Sequence, residues 1–143
     1  MRKLGLDLGI KSCGFAITDE SEIISSSIEN FMFEENNFNL VIERIKYYLS
    51  IYKIDGFVLG YPLKISGDKS DRTLMVEKFK ILLEKNFEIP VMLVNEQYST
   101  KRAKEILKQG GLNTTKSKKY KDSLAAQIIL NDYLDYYKHK WGK

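Results

Sequence analysis

A mixed α/β sheet of five strands with helices on both faces is the fold class this sequence predicts, and two observations predict it. Three short runs near the N-terminus alternate apolar and polar residues with period two. From about residue 37 the period changes to 3.6, and helical and strand patterns then take turns along the chain. Three closely joined strands form an antiparallel meander, and right-handed crossovers set the later strands parallel to the first.

The first strand spans Lys3 to Gly9, with Leu4, Leu6 and Leu8 on one face and Gly5, Asp7 and Gly9 on the other. Residues 13–18 and 22–28 form two more β-like runs, separated by the polar turn Asp19-Glu20-Ser21. Phe38, Val41, Ile42, Ile45, Tyr48, Leu49 and Tyr52 then recur at helical spacing, giving an amphipathic helix from about 37 to 52. A buried strand at Gly56 to Gly60 ends in Gly60-Tyr61-Pro62, and the polar loop Ser66-Gly67-Asp68 leads into a helix whose inner face is Met75, Phe79, Leu82 and Leu83. Pro90 breaks the chain before a short strand, Val91 to Val94. Ser99-Thr100 caps a helix built on Ala103, Ile106 and Leu107 and closed by Gly110-Gly111. Residues 112–119 form a loop, and a final helix runs to about Tyr137. No internal repeat or domain boundary interrupts residues 1–143, which are expected to form a single domain. The outline is that of a ribonuclease H-like fold, in which ligands gather beyond the carboxyl ends of the parallel strands.

Composition narrows the function. Of 143 residues, 43% are apolar, enough for one packed core. No stretch has the length and apolarity of a membrane span, so a soluble, cytoplasmic protein is expected. Cys13 has no cysteine partner, and with His139 it is too little for structural zinc. The net charge of +4 conceals an asymmetry. Residues 12–43 carry seven acids and no Lys or Arg, whereas residues 101–121 hold Lys101, Arg102, Lys104, Lys108, Lys116, Lys118, Lys119 and Lys121 against only Glu105. Such a basic run suits a polyanion, although a lysine run can equally be a solvated face.

The candidates for chemistry are acids. Asp7 lies between Gly5 and Gly9 on its face of the strand, leaving room for a metal ion and a phosphate; the alternative is a surface aspartate that ends strand pairing. Glu96 follows the last strand and precedes a capped helix, a common place for an active-site residue, and also for an ordinary loop glutamate. Asp122 shares a helix face with Ala125, Ala126, Ile129 and Tyr133, whose small alanines allow the helix close to the sheet; the alternative is a carboxylate serving the helix dipole. Carboxylates that converge are tolerated around a hard divalent cation such as Mg²⁺, and a pair of such ions can hydrolyse a phosphodiester. Blander readings fit the rest. Cys13 is a small buried hydrophobe, His139 is solvated, and Tyr120, Tyr133, Tyr136 and Tyr137 are core or rim residues. Asp68 and Asp71 are loop and helix-capping acids.

Four segments together resemble the YqgF/RuvX family of Holliday junction resolvase-like proteins and pre-16S rRNA nucleases. They are GLDLGIKSCGFAITD from Gly5, VLGYPLKISG from Val58, VNEQYST from Val94 and DSLAAQIIL from Asp122. The resemblance implies a ribonuclease H-like nuclease whose metal-binding acids are Asp7, Glu96 and Asp122, with Mg²⁺ or Mn²⁺ as cofactor. It also implies a cytoplasmic role in 5′-end maturation of ribosomal RNA. This chain departs from the family's usual Asp-Glu-Arg at Asn95-Glu96-Gln97, losing a charge that could hold a phosphate or orient Glu96.

Expected partners are structured RNA (pre-rRNA) or branched DNA, contacted through Lys101, Lys116, Lys118, Lys119 and Lys121, by a monomer or a homodimer. Two other readings stand beside this one. The first hairpin also resembles the phosphate loop of sugar kinases and actin-like ATPases, although those close two such domains around ATP. A non-catalytic nucleic-acid-binding module is the other, suggested by Asn95 and Gln97.

Overall fold

The alternation in the first strand sorts its side chains to two sides of a sheet. In the computed structural model, which describes residues 1–64, 66–95 and 124–141, strand β1 spans Arg2–Leu8 and is almost wholly buried. Strands β2 (Ser12–Thr18) and β3 (Ser25–Met32) follow it as an antiparallel meander. Helix α1 (Phe38–Ile51) and helix α2 (Asp71–Asn86) are the crossovers that set β4 (Ile54–Tyr61) and β5 (Val91–Asn95) parallel to β1. The sheet order is β3-β2-β1-β4-β5, with β1 at the centre.

Each face has its own core. Leu4, Leu6, Leu8, Phe15, Ile17, Phe57 and Leu59 pack with Val41, Ile42, Ile45 and Tyr48 of α1 and with Val76, Phe79 and Leu83 of α2. On the other face Ala16, Val58 and Val94 meet Ala126, Ile129, Leu130 and Tyr133 from the C-terminal helix. That helix covers residues 124–132 and continues as a π-helical turn, Tyr133–Tyr137, and a 3₁₀ turn, Lys138–Lys140. Helices therefore lie on both faces, as the sequence predicts. Gly5 pairs with Ala16 on one side and Val58 on the other. This row of small side chains is where the C-terminal helix comes down on the sheet.

Two boundaries differ from expectation. Ile23 and Ile24 are not in β3 but in the preceding turn, where the Asp19 carboxylate accepts hydrogen bonds from both of their N–H groups at 2.7 and 3.0 Å. Glu22 takes a left-handed φ of 53° there, and the two isoleucines are left exposed. β3 instead extends to Met32 as an edge strand of mostly half-exposed residues, with a register shift opposite Phe15 and Ala16. The cap of α2 also differs, because Ser70 rather than Asp71 holds that position. The Ser70 hydroxyl accepts from the Thr73 N–H, and the Thr73 hydroxyl in turn accepts from the Ser70 N–H at 2.9 Å. Asp71 sits in the first turn, where its charge suits the helix dipole. Asp68 is the loop residue expected, its carboxylate accepting from the Ser66 hydroxyl at 3.0 Å.

Cys13 and Tyr133 are buried and His139 is exposed, as read from the sequence, whereas Tyr136, expected in the core or at its rim, is 66% exposed. Tyr120, the helix proposed after Ser99-Thr100 and the loop 112–119 lie outside the described residues. Among the described residues, no helix is long and apolar enough to cross a membrane.

Candidate active site

The carboxyl ends of β1, β4 and β5 come to one edge of the sheet, and their terminal residues Leu8, Tyr61 and Asn95 mark it. Asp7, the penultimate residue of β1, brings a carboxylate there. It is only 5% exposed, so its charge must be compensated by the protein or by a bound cation. The compensation visible in the structure is Arg72, whose Nη2 donates to Asp7 Oδ1 at 2.7 Å. Arg72 is itself fixed by bonds from Nε and Nη2 to the Leu8 carbonyl, at 3.2 and 3.0 Å. Its side chain remains 39% exposed, so the pair lies at the rim and not in the core.

The loop after β4 places Arg72. Gly60-Tyr61-Pro62 ends the strand, and the buried Thr73 hydroxyl donates to the Pro62 carbonyl, tying the first turn of α2 to the end of β4. Tyr61 adds a hydrogen bond of 3.2 Å from its hydroxyl to Glu77, which also pairs with Lys69 at 2.9 Å. These contacts fix the N-terminus of α2 beside the end of β1. The β1–β2 turn is equally tied, since Gly9 N–H donates to the Ser12 carbonyl at 2.7 Å and Phe33 N–H to the Lys11 carbonyl at 3.0 Å.

The space beside Asp7 expected at Gly5 is filled by the C-terminal helix. A Cβ there would lie 2.5 Å from Cγ of Leu130, so the missing side chain makes room for the C-terminal helix and not for a metal ion or phosphate. At Gly9 a Cβ would lie 3.3 Å from the Ser12 carbonyl oxygen, which ties that glycine to the turn.

Sequence reasoning missed Arg72, although it carried one signal. A cation in the first turn of a helix opposes the helix dipole, so its presence there asks for a partner elsewhere. It also missed a second polar cluster, at the opposite end of the sheet. The Lys3 ammonium is 2.6 Å from Asp55 and 3.1 Å from Glu22, its side chain 7% exposed, and it lies 5.7 Å from the Trp141 ring. The Tyr133 hydroxyl donates to Glu22 at 3.0 Å and accepts from the Trp141 indole at 2.5 Å. Burial and the Glu22 carboxylate push the Tyr133 phenol above its usual range, so it stays a donor. This cluster fastens the chain after the C-terminal helix to β1, β4 and the β2–β3 turn.

Of the expected site residues, Asp7 is the one described. Glu96, which follows the last residue of β5, and Asp122 both lie outside the described residues, as do Lys101, Lys116, Lys118, Lys119 and Lys121. Among the described residues, no group of three or more His, Cys, Asp or Glu could hold a metal ion. Asp7 offers one hard oxygen ligand of the type Mg²⁺ or Mn²⁺ takes.

A central strand ending in a buried acid, inside a mixed sheet of order 3-2-1-4-5 with helices on both faces, defines a ribonuclease H-like domain. Solved structures agree on the fold. T. thermophilus RuvC in complex with a Holliday junction substrate superposes with a TM-score of 0.56 at 15% identity, covering 94% of this chain and 96% of that one. The fowlpox virus resolvase bound to Holliday junction DNA gives 0.55 at 19% identity, over 94% and 97%. The model of the RuvX family, described as Holliday junction resolvase, matches residues 1–136, and the chain belongs to that family. Among its relatives, a protein of Mycoplasmopsis pulmonis is 49% identical over 136 residues, spanning 94% of this chain and 93% of its own length. One of Mycoplasmopsis synoviae is 48% identical over 138 residues, spanning 96% and 100%. Both carry the name "Putative pre-16S rRNA nuclease".

Proposed function

We propose that this chain is a metal-dependent nuclease that hydrolyses phosphodiester bonds in the 5′-end processing of pre-16S rRNA, in the cytoplasm, with Asp7, Glu96 and Asp122 as its catalytic metal ligands. The observation that carries the reading is Asp7, a carboxylate buried at the carboxyl end of the central strand yet bordered by the rim where a polyanion can approach. Family membership and the names of the relatives supply the reaction class and the RNA.

The direction of the C-terminal helix supports Asp122 as a partner of Asp7. Leu130 meets Gly5, while Tyr133 and Trp141, further along, meet Glu22, Lys3 and Gly56. The helix thus runs toward the amino end of β1, and its residues before Leu130 lie toward the end that bears Asp7. Mg²⁺ or Mn²⁺, when bound, supplies Lewis-acid activation of the phosphate and a water nucleophile at neutral pH. The protein's part is to hold Asp7 rigidly in a paired strand and to keep the rim polar. Lys101, Lys116, Lys118, Lys119 and Lys121 contact backbone phosphates in this reading, which orients the nucleic acid without reading its sequence.

The family's description favours one second reading, cleavage of a four-way DNA junction. That would require two active sites, hence a homodimer, whereas a monomer suffices for RNA. The test is incubation with Mg²⁺ or Mn²⁺ on a precursor 16S rRNA fragment and on a four-way DNA junction, with Asp7→Asn as control. Metal-dependent cuts in the RNA that vanish in Asp7→Asn are expected, and preferential cutting of the junction would select the second reading. Binding without cleavage of either would sink both and leave a nucleic-acid-binding module.

A further inference from the structure

We infer that Arg72 is a phosphate-binding residue of this site, which grips a non-bridging oxygen of the nucleic-acid backbone beside the cation ligated by Asp7. The inference rests on the nuclease reading above and adds to it a residue that none of the acids or lysines considered there includes.

Four observations lead to it. Arg72 Nη2 lies 2.7 Å from Asp7 Oδ1, so its positive charge is at the candidate metal ligand itself. The guanidinium is anchored through Nε and Nη2 on the Leu8 carbonyl, which fixes its plane against the end of β1. Its side chain is nevertheless 39% exposed, against 5% for Asp7, so a solute at the rim reaches the arginine. Finally, it occupies the second position of α2, where the helix dipole disfavours a cation and favours an anion. A phosphate at this point would meet a guanidinium and the positive end of a helix together.

The charges also explain how one arginine serves two states. Without a cation, Arg72 neutralises the buried Asp7 carboxylate and keeps it compatible with folding. A divalent cation on Asp7 takes over that neutralisation and repels the guanidinium, whose favoured partner then becomes the phosphate.

The opposing effects separate this role from a purely structural one. Arg72→Gln keeps a donor near the Leu8 carbonyl while removing the charge, and Arg72→Lys keeps the charge. Two binding measurements suffice: Mn²⁺ alone by titration calorimetry, and a hairpin RNA in millimolar Ca²⁺ by fluorescence anisotropy over a range of salt. For Arg72→Gln, Mn²⁺ should bind about threefold to tenfold more tightly, since a competing and repelling charge is gone. RNA should bind about tenfold more weakly, with its salt slope reduced by roughly 0.7 to 0.9, the share of one phosphate contact. Arg72→Lys should keep the wild-type slope. Weaker Mn²⁺ binding in Arg72→Gln would mean that the arginine only props up Asp7, and an unchanged RNA slope would mean that no phosphate touches it; either overturns the inference. Absence of Mn²⁺ binding by the wild-type protein would instead remove the nuclease reading, and this inference with it.

Discussion

Replacing Gly5 by alanine tests how closely the C-terminal helix must approach the sheet. A Cβ at residue 5 would lie 2.5, 2.9 and 3.1 Å from Cγ, Cδ1 and Cδ2 of Leu130. Ordinary carbon contacts lie at about 3.5 to 4.0 Å, so the helix or the Leu130 side chain must withdraw by about 1 Å. Overpacking of this kind costs about 1 to 3 kcal/mol, and the lower chain entropy of unfolded alanine returns about 0.4 to 1 kcal/mol. A net loss of about 1 to 2 kcal/mol is therefore expected. Leu130→Ala alone empties the same place from the other side and should cost about 2 to 5 kcal/mol. Combined, the two changes should be less harmful than their sum by about 1 to 3 kcal/mol, because the new methyl group occupies part of the space left by leucine. Urea unfolding followed by circular dichroism gives all four stabilities. Strict additivity within about 0.5 kcal/mol would refute the close approach as the reason for glycine at this position.

Other expectations are simpler to state. Lys3→Met should cost about 2 kcal/mol, below the usual loss for breaking a buried ion pair because Asp55 is 41% exposed, and it should shift the emission of Trp141, the only tryptophan. Unchanged emission would mean that the lysine does not position the ring. The Asp19 carboxyl is held below its ordinary range by the N–H groups of Ile24 and Ile23. A depressed folded-state value means that its contribution is present above the unfolded carboxyl pKa of about 3.9 and fades as pH falls through the folded value. The gap in urea midpoint between wild type and Asp19→Ala should accordingly narrow progressively as the pH falls below about 3.9, and a gap that stays constant would contradict the carboxylate's role in the turn.

Much of the architecture was legible in the sequence because strand and helix periods are local signals. β1 could be read from Leu4, Leu6 and Leu8, and β4 and β5 from short apolar runs bounded by Gly60-Tyr61-Pro62 and Pro90. Local signals also misled. Ile23 and Ile24 have the composition of a strand, but one carboxylate at Asp19 captures both of their N–H groups and turns the chain before it can pair. Ser70 and Asp71 are both good caps, and the choice falls on Ser70 because Thr73 completes the reciprocal bond. Asp7 was picked out for its position at a strand end, and it is the buried penultimate residue of β1, whereas the room beside Gly5 belongs to Leu130. The first-turn cation at Arg72 could be noticed in the sequence, but its partner could not. Arg72 meets Asp7 across 65 residues of chain, and only the packing of α2 against the end of β4 brings the two together.

The serine-rich third strand has a consequence for how copies of this protein behave in a crowd. An edge strand offers unpaired backbone groups to any passing chain, and a flat, greasy edge recruits a neighbour's strand. Here the outermost ribbon begins Ser25-Ser26-Ser27, carries Glu29 and Asn30, and departs from regular register opposite Phe15 and Ala16. Hydroxyl and charged groups keep that border wetted, and the irregular register spoils it as a template. A concentrated solution should therefore tolerate this edge without fibril growth, even though the strands behind it are among the most apolar in the molecule.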